Sequence, residues 1–338
     1  MKILVTGGTG YIGSHTVVEL QNKGYEVIIV DNLSNSDAEI VDNIEKITGI
    51  RPKFEEFDLT DNKKTTDFFK RNSDIKGIIH FAAFKAVGES VQKPLMYYRN
   101  NLDSLLNILQ GMLDNGIPNI VFSSSCTVYG QPDELPVSEQ APIKKAESPY
   151  GNTKQISEEI LTDTVKASNL NVIALRYFNP IGAHESEIIG ELPLGVPNNL
   201  VPFITQTAIG LREQLRVFGD DYPTPDGTAI RDYIHVVDLA KAHVIAVDRM
   251  LKEKMKQQME FFNLGTGNGY SVLEVIKSFE KVSGQKLNYR IVGRREGDII
   301  QVWANPDYSN EELGWKAEKG IDEMTLSAWK WEQVLRGK

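Results

Sequence analysis

A short apolar run, Lys2 to Thr6, breaks into Gly7-Gly8-Thr9-Gly10-Tyr11-Ile12-Gly13 and restarts as a helix-like stretch from about Tyr11 to Lys23. Few local patterns restrict a fold as much. A strand that ends in a glycine-rich turn and continues as a helix aims the helix's first amides at whatever sits over the turn. Those amides and the helix dipole favour a diphosphate. The spacing Gly7-x-x-Gly10-x-x-Gly13 is one residue longer than the G-x-G-x-x-G turn of other dinucleotide folds. Val27 to Val30 reads as a second buried strand ending in Asp31, close to the roughly twenty-residue spacing expected for an acid that meets a ribose. An acid there suits the ribose hydroxyls of NAD and repels the extra phosphate of NADP. The plainer alternative is that Asp31 caps the next segment; its distance from the glycines favours the ribose.

Further strand-like runs follow at Lys53 to Phe57, Gly77 to Phe81, Ile120 to Ser124 and Asn171 to Arg176, separated by helix patterns near 61 to 72, 94 to 115 and 148 to 169. This alternation predicts an α/β fold, a Rossmann-type doubly wound parallel sheet covered on both faces. Pro94 suits a helix start. Leu102, Leu105, Leu106, Leu109 and Leu113 make a stripe at helical spacing, which belongs in a core or against a second subunit rather than around a ligand. Beyond residue 178, Pro180, Pro193, Pro197, Pro202, Pro223 and Pro225 mark long loops of the kind that shape binding sites. The helix pattern near Val236 to Val247 and the strand-like Phe261 to Leu264 return to the sheet. The expected organisation is therefore a nucleotide-binding domain of residues 1–178 plus a returning segment of about 235–262, interleaved with a smaller C-terminal substrate domain of 179–234 and 263–338.

A chain of 338 residues suggests about two domains, and 41% hydrophobic with 25% charged residues is an ordinary globular composition. Net charge is −9 with no basic tract, which argues against nucleic acid as a partner. No apolar segment is long enough to span a membrane, and the first residues lack the pattern of a signal peptide. The single cysteine, Cys126, excludes an internal disulfide, and a cytoplasmic location is expected. His15, His80, His184, His235 and His243 show no metal-ligand spacing, so no metal is expected.

Tyr150 and Lys154 lie four residues apart, on one face of a helix over 148 to 169. A phenol has a reference pKa of ~10, so a phenolate near pH 7 takes about three units, roughly 4 kcal/mol. A nearby lysine and a cationic nicotinamide ring are candidates to supply it. Alone, such a pair is more often side-chain packing, and the run Ser123-Ser124-Ser125 is more often a polar loop. Together with the glycine turn they imply nucleotide-cofactor redox chemistry.

These segments, with Phe81 to Ser90, Ser123 to Gly130, Arg176 to Pro180, Asn198 to Leu200, Asp226 to Val236 and Arg294 to Asp298, carry a resemblance over nearly the full length. The chain resembles the extended short-chain dehydrogenase/reductases, and within them the UDP-glucose 4-epimerase family. The resemblance implies reversible epimerisation at C4 of UDP-glucose and UDP-galactose, a step of galactose metabolism, through a transient 4-keto sugar with tightly bound NAD. It implies Tyr150 as the base at O4, Ser125 as hydrogen-bond partner and proton relay, and Lys154 on the nicotinamide ribose. Implied cofactor contacts are Gly7, Gly10, Tyr11, Ile12 and Gly13; Asp31 and Asn32 at the adenosine ribose; Asp58 and Leu59 at the adenine; Phe81, Lys85 and Asn100; and Tyr177 and Phe178 beside the nicotinamide. Implied substrate contacts are Lys85, Ser125, Tyr150, Asn179, Asn199, Val217, Phe218, Arg231, Arg295, Asp298 and Val302. A homodimer through the helices near 94 to 115 and 148 to 169 is implied as well.

Two positions bear on specificity. Related dehydratases and decarboxylases carry acids just after the catalytic Ser/Thr; here Cys126 and Thr127 stand there, which disfavours elimination. Cys126 itself reads as a small buried hydrophobe rather than a nucleophile. Val302 aligns with a position where a tyrosine restricts the family to UDP-glucose and UDP-galactose, so its small side chain implies space for UDP-N-acetylglucosamine and UDP-N-acetylgalactosamine, with Trp303 competing for that space. UDP on an acidic protein needs local cations, which points to Arg231 and Arg295; the alternative is that they pair with Asp232 and Glu296. Three other functions stay open: a reductase that releases NADH or NADPH, a non-catalytic NAD-sensing protein of the same fold, and an epimerase for another nucleotide sugar such as a UDP-uronate.

Overall fold

The computed structural model describes residues 1–295 and 299–337. In chain order its strands are β1 (Lys2–Thr6), β2 (Glu26–Asp31), β3 (Lys53–Glu56), β4 (Ile75–His80), β5 (Asn119–Ser123), β6 (Asn171–Tyr177), β7 (Asn179–Ile181), β8 (Leu215–Phe218), β9 (Ile230–His235), β10 (Met259–Leu264), β11 (Gly269–Ser271), β12 (Tyr289–Val292) and β13 (Gln301–Val302). The helices are α1 (Tyr11–Asn22), α2 (Glu39–Thr48), α3 (Asn62–Arg71), α4 (Val87–Gln92), α5 (Pro94–Tyr98), α6 (Ser104–Asn115), α7 (Pro149–Lys166), α8 (Leu200–Ala208), α9 (Val236–Leu251), α10 (Val272–Ser283) and α11 (Ile321–Leu335).

The main sheet is parallel, in the order β10-β6-β5-β4-β1-β2-β3. Its inner strands are apolar on both faces because both faces are covered, whereas the edge strand β3 carries Lys53, Glu55 and Glu56. Ile3, Val5, Val27 and Ile29 join one core with Val17, Val18 and Leu20 of α1 and Leu239 and Val247 of α9. The alternate residues Leu4, Ile28 and Val30 join a second core with Phe68 and Phe69 of α3, Ile108 and Met112 of α6, and Leu161 of α7. Strand order reverses between β1 and β4, which opens a crevice at the carboxyl ends of the strands.

Local chemistry sets where α7 begins. Ser148 is its N-cap and accepts from the amide of Gly151 at 3.1 Å, with Pro149 in the first turn, so Tyr150 enters the first turn and Lys154 follows one turn on. The stretch from 94 to 115 is helical throughout but contains a π-helical turn, Arg99–Asp103, between α5 and α6. The leucine stripe divides within α6 itself. Leu105 and Leu109 are buried, whereas Leu106 and Leu113 are 48% and 44% exposed. Helices α2 and α4 add to the helices expected from the sequence; α2 buries Ile40, Val41 and Ile44 at helical spacing.

The smaller part contains a four-stranded sheet, β11-β9-β13 with β7 also on β9, and a parallel pair, β8 with β12. Its core collects Ile181, Ile204, Val217, Tyr233, Phe279 and Trp329. From β9 the chain runs straight into α9, capped by His235, and β10 then pairs with β6 at the edge of the main sheet. Leu313 and Trp315, inside the 263–338 stretch expected in the smaller domain, pack into the main core instead. Among the described residues no helix is long and apolar enough to cross a membrane, and no group of three or more His, Cys, Asp and Glu could hold a metal ion.

Candidate active site

The glycine turn forms a cradle closed to side chains. Gly7 has φ +69°, and a Cβ there would lie 2.8 Å from the amide nitrogen of Ala82; one on Gly13 would run into the Gly7 carbonyl oxygen. Gly10 is the N-cap of α1 and brings no side-chain cap, so the first amides keep their capacity for an anion. Tyr11 donates its hydroxyl to the Gly182 carbonyl at 2.6 Å, tying the cradle to the loop after β7, and Ile12 packs on the main core. Asp31, at the end of β2, accepts from the amides of Thr9 at 3.2 Å and Leu33 at 3.0 Å and from the Ser36 hydroxyl at 3.4 Å. Thr9 and Ser36 were not among the expected site residues; a hydroxyl residue within the turn was the only signal. Asn32 donates to Asp58 at 3.1 Å, while Leu59 is buried in the core and leaves only its backbone for a ligand.

The serine run ends β5, and α7 brings Tyr150 and Lys154 alongside it. Ser125 and Tyr150 are both buried, and the Ser125 side chain lies near enough to the Tyr150 phenol to favour its charged form. Lys154 Nζ donates to the Ser123 carbonyl at 2.6 Å and lies 4.8 Å above the Phe122 ring. The Ser123 hydroxyl meets that of Tyr177 at 2.7 Å. Burial raises the Tyr150 phenol above its ordinary range, Tyr177 adds to the rise, and Ser125 opposes it. Burial also lowers the Lys154 ammonium to about 8, with Glu158 opposing. Lys154 is not among the groups that shift the Tyr150 phenol; its ammonium is engaged by the Ser123 carbonyl.

Beneath these groups lies a buried polar network that the sequence reading missed. Arg176 donates to both oxygens of Glu158, from Nε at 2.9 Å and Nη2 at 2.7 Å. Glu158 also accepts from Ser124 at 2.6 Å. Arg176 Nη1 donates to Tyr129, whose hydroxyl donates to Asn263 at 2.7 Å. The available signal was Glu158 one turn after Lys154 on the same face of α7. Asn100, expected at the cofactor, donates to its neighbour Asn101 at 3.0 Å. Asn101 bridges the Phe84 backbone, at 2.8 and 3.0 Å, to the Thr153 hydroxyl at 3.1 Å.

Across the crevice, Phe81 packs against the His243 ring at 4.6 Å between centroids. Lys85 is half exposed, its ammonium 3.5 Å from Glu191 and 5.9 Å from the centre of the Tyr11 ring. Asn179 opens β7 opposite Tyr233 of β9, and Asn199 is the N-cap residue of α8. Phe178 and Val302 share a small buried cluster with Val128, Tyr129 and Val137. The Val217 side chain lies inside the smaller core, which leaves its backbone to face a ligand, whereas Phe218 beside it is 39% exposed. Arg231, on β9, donates to the Ile230 carbonyl at 2.8 Å. Asp232 is buried and accepts from the amides of Thr266, Gly267 and Ala304 and the Thr266 hydroxyl. Arg295 is exposed, with its guanidinium approaching Gly88 of α4; its neighbour Arg294 is engaged by Asp221 at 2.7 Å and by the Tyr222 ring. Asp298 and Glu296 lie outside the described residues. Burial raises the Cys126 thiol to about 12, which leaves it inert as a nucleophile.

A doubly wound parallel sheet, a glycine cradle after its first strand and a Ser/Tyr/Lys cluster at its carboxyl edge define an extended short-chain dehydrogenase/reductase. The chain matches the family model described as GDP-mannose 4,6 dehydratase over residues 4–327. It is 52% identical to the UDP-glucose 4-epimerase of Bacillus subtilis over 333 residues, covering 98% of this chain and 97% of the relative. Two solved structures superpose with a TM-score of 0.95 each. The UDP-glucose-4-epimerase from Stenotrophomonas maltophila, with bound NAD and formylated UDP-arabinopyranose, is 46% identical, over 100% of this chain and 99% of that one. The UDP-glucose 4-epimerase from Bifidobacterium longum, in complex with NAD+ and UDP, is 48% identical, with the same coverage. The chain belongs to the UDP-glucose 4-epimerase family, within the wider extended dehydrogenase/reductase group.

Proposed function

We propose that this protein interconverts UDP-glucose and UDP-galactose by epimerisation at C4, through a transient 4-keto sugar, with NAD as its bound cofactor. The observation that carries this is the burial of Ser125, Tyr150 and Lys154 together at the end of β5, in a chain of this family. The residues suit NAD: the cradle excludes a Cβ at Gly7 and Gly13, α1 starts without a side-chain cap, and Asp31 ends β2. When bound, NAD supplies the acceptor and donor of the C4 hydride and the positive ring charge that the buried phenol lacks.

Tyr150 takes the proton from the sugar O4, with Ser125 beside it to relay the proton. Lys154 fixes the end of β5 through the Ser123 carbonyl, and so sets Ser125 against Tyr150. Cys126 and Thr127 offer no carboxylate for elimination. Arg231 and Arg295 offer the local cations for UDP, and the single cysteine suits the cytoplasm.

A wider substrate range has support of its own. Val302 packs in the cluster with Phe178, while Trp303, the residue after β13, packs against Gly269. Trp303 is thus engaged at Gly269, and the N-acetylated UDP-sugars, which the small Val302 side chain favours, are included in the proposal. Homodimerisation is also proposed, because Val91, Leu95, Leu106 and Leu113 stand exposed along α4 to α6.

Incubation with UDP-galactose and no added NAD, followed by chromatography, should give UDP-glucose up to a fixed ratio without net NADH. Tyr150→Phe should lower kcat by roughly 10²- to 10⁴-fold with an unchanged melting midpoint. Undiminished turnover in that variant would remove Tyr150 as the base.

A further inference from the structure

We propose that Glu191 is a positioning residue that couples the cofactor side of the crevice to the UDP side, by holding Lys85 and Asn199 on a single carboxylate. The proposal rests on the crevice being an NAD and UDP-sugar site.

The carboxylate has a fixed root. The Glu191 carbonyl accepts from Trp331 Nε1 at 3.1 Å, and Gly190 lies so close to the Trp331 ring that a Cβ would come within 2.5 Å of it. Helix α11 thus clamps the chain where Glu191 leaves it. The side chain is only 12% exposed. Its Oε1 accepts from Asn199 Nδ2 at 2.6 Å and lies 3.5 Å from Lys85 Nζ. Lys85 comes from the loop after β4 and reaches over the Tyr11 ring at the start of α1; Asn199 starts α8. Three separate parts of the chain therefore meet at one oxygen.

The Asn199 bond is informative because of what it displaces. An asparagine at an N-cap ordinarily bonds the first amides of its own helix. Asn199 makes no such cap, and its amide turns to Glu191 instead. The ion pair with a half-exposed lysine adds little stability. What the carboxylate contributes is geometry: it keeps the ammonium of Lys85 near the glycine cradle and the Asn199 side chain off its own helix end. Without it, Asn199 is free to cap α8, and Lys85 is free to extend into solvent.

The test compares wild type, Glu191→Gln and Glu191→Ala by KM and kcat for UDP-galactose, the Kd of UDP by calorimetry, and the melting midpoint. Glu191→Ala should raise KM and the UDP Kd roughly tenfold, the factor a lost hydrogen bond of ordinary strength carries, with the melting midpoint unchanged. Glu191→Gln retains an acceptor for Asn199 and loses only the charge facing Lys85, so its KM should fall between the two. Wild-type KM and UDP Kd in Glu191→Ala would overturn the proposal, as would a lower melting midpoint and kcat at constant KM, which mark a purely structural role. If the wild type binds UDP but does not convert UDP-galactose, the epimerase reading fails, and the UDP Kd of the variants still decides the role of Glu191.

Discussion

In the main sheet, β1 is buried from Ile3 to Thr6 and pairs along its length with β2 and β4, whereas β13 of the smaller part is two residues long and its surroundings hang on one carboxylate. Asp232 gathers Thr266, Gly267 and Ala304, which brings the segments after β10 and β13 against β9. The first arrangement spreads its stability over many apolar side chains, each contributing roughly 1.5–3 kcal/mol on full burial. The second joins a small apolar cluster around Val302 to the few polar contacts of Asp232. The proposed catalytic groups stand on the first and most of the proposed sugar and nucleotide contacts on the second. This division keeps Ser125, Tyr150 and Lys154 in place and leaves the substrate pocket to be reshaped by single substitutions.

The sharpest way to break this contrast is the polar exception inside the main sheet. Glu158→Gln should cost about 3–5 kcal/mol in urea unfolding, because it leaves the Arg176 guanidinium buried without its charge partner. A loss below 1 kcal/mol would mean that hydrophobic burial alone holds that region.

Acid should find the seam between the two parts. Burial lowers His15, His80 and His235 to about 3, lowers His243 to about 4, and lowers His184. Their folded pKa values lie below the ordinary 6.5, so the stability linked to them is intact above pH 6.5 and is lost as pH falls from there toward 3. Each of the lowest three should cost about 2 kcal/mol by pH 5. His15 and His184 have ring centroids 6.2 Å apart, and His235 bonds Ser327 of α11 at 3.1 Å, so three of the five sit where the parts meet. Amide exchange at pH 5 should therefore rise first in α1 and the loop after β7; a rise first in β4 and β5 would reverse the contrast.

The smallest effect is expected in the smaller part itself. Asp232→Asn should cost about 1–3 kcal/mol, since an amide presents a donor to a site built of donors. Faster exchange should be confined to residues 264–268 and 303–305. Spread of that change into β5 and β6 would show that the parts are less independent than their construction suggests.

Much of the main sheet was legible because its signals are local. β2 carries the β-branched run Val27 to Val30 and β6 the apolar run Val172 to Leu175, and the cradle needs glycine for steric reasons that act within a few residues. Helix α7 was readable from its spacing alone, although its partners were not. The π-helical turn at Arg99–Asp103 carries no proline or glycine and left no mark, and the leucines of α6 read as one stripe although Leu105 and Leu109 are buried and Leu106 and Leu113 exposed. Helix α2 was overlooked although Ile40, Val41 and Ile44 carry the period. Val217 was expected at the substrate, but burial assigns its side chain to the core.

The sequence by itself determined the alternation of strands and helices, the phosphate-sized cradle, the Tyr150/Lys154 face and the family, because propensity, periodicity and motif spacing act over short stretches of chain. Only the tertiary structure decided that Lys154 is engaged by Ser123, that Glu158 and Arg176 underpin Ser124, and that Glu191 joins Lys85 to Asn199. Those contacts join residues far apart in the chain. Their strength comes from burial, which raises the cost of an unpaired polar group until a partner is found, and burial is a property of the packed molecule.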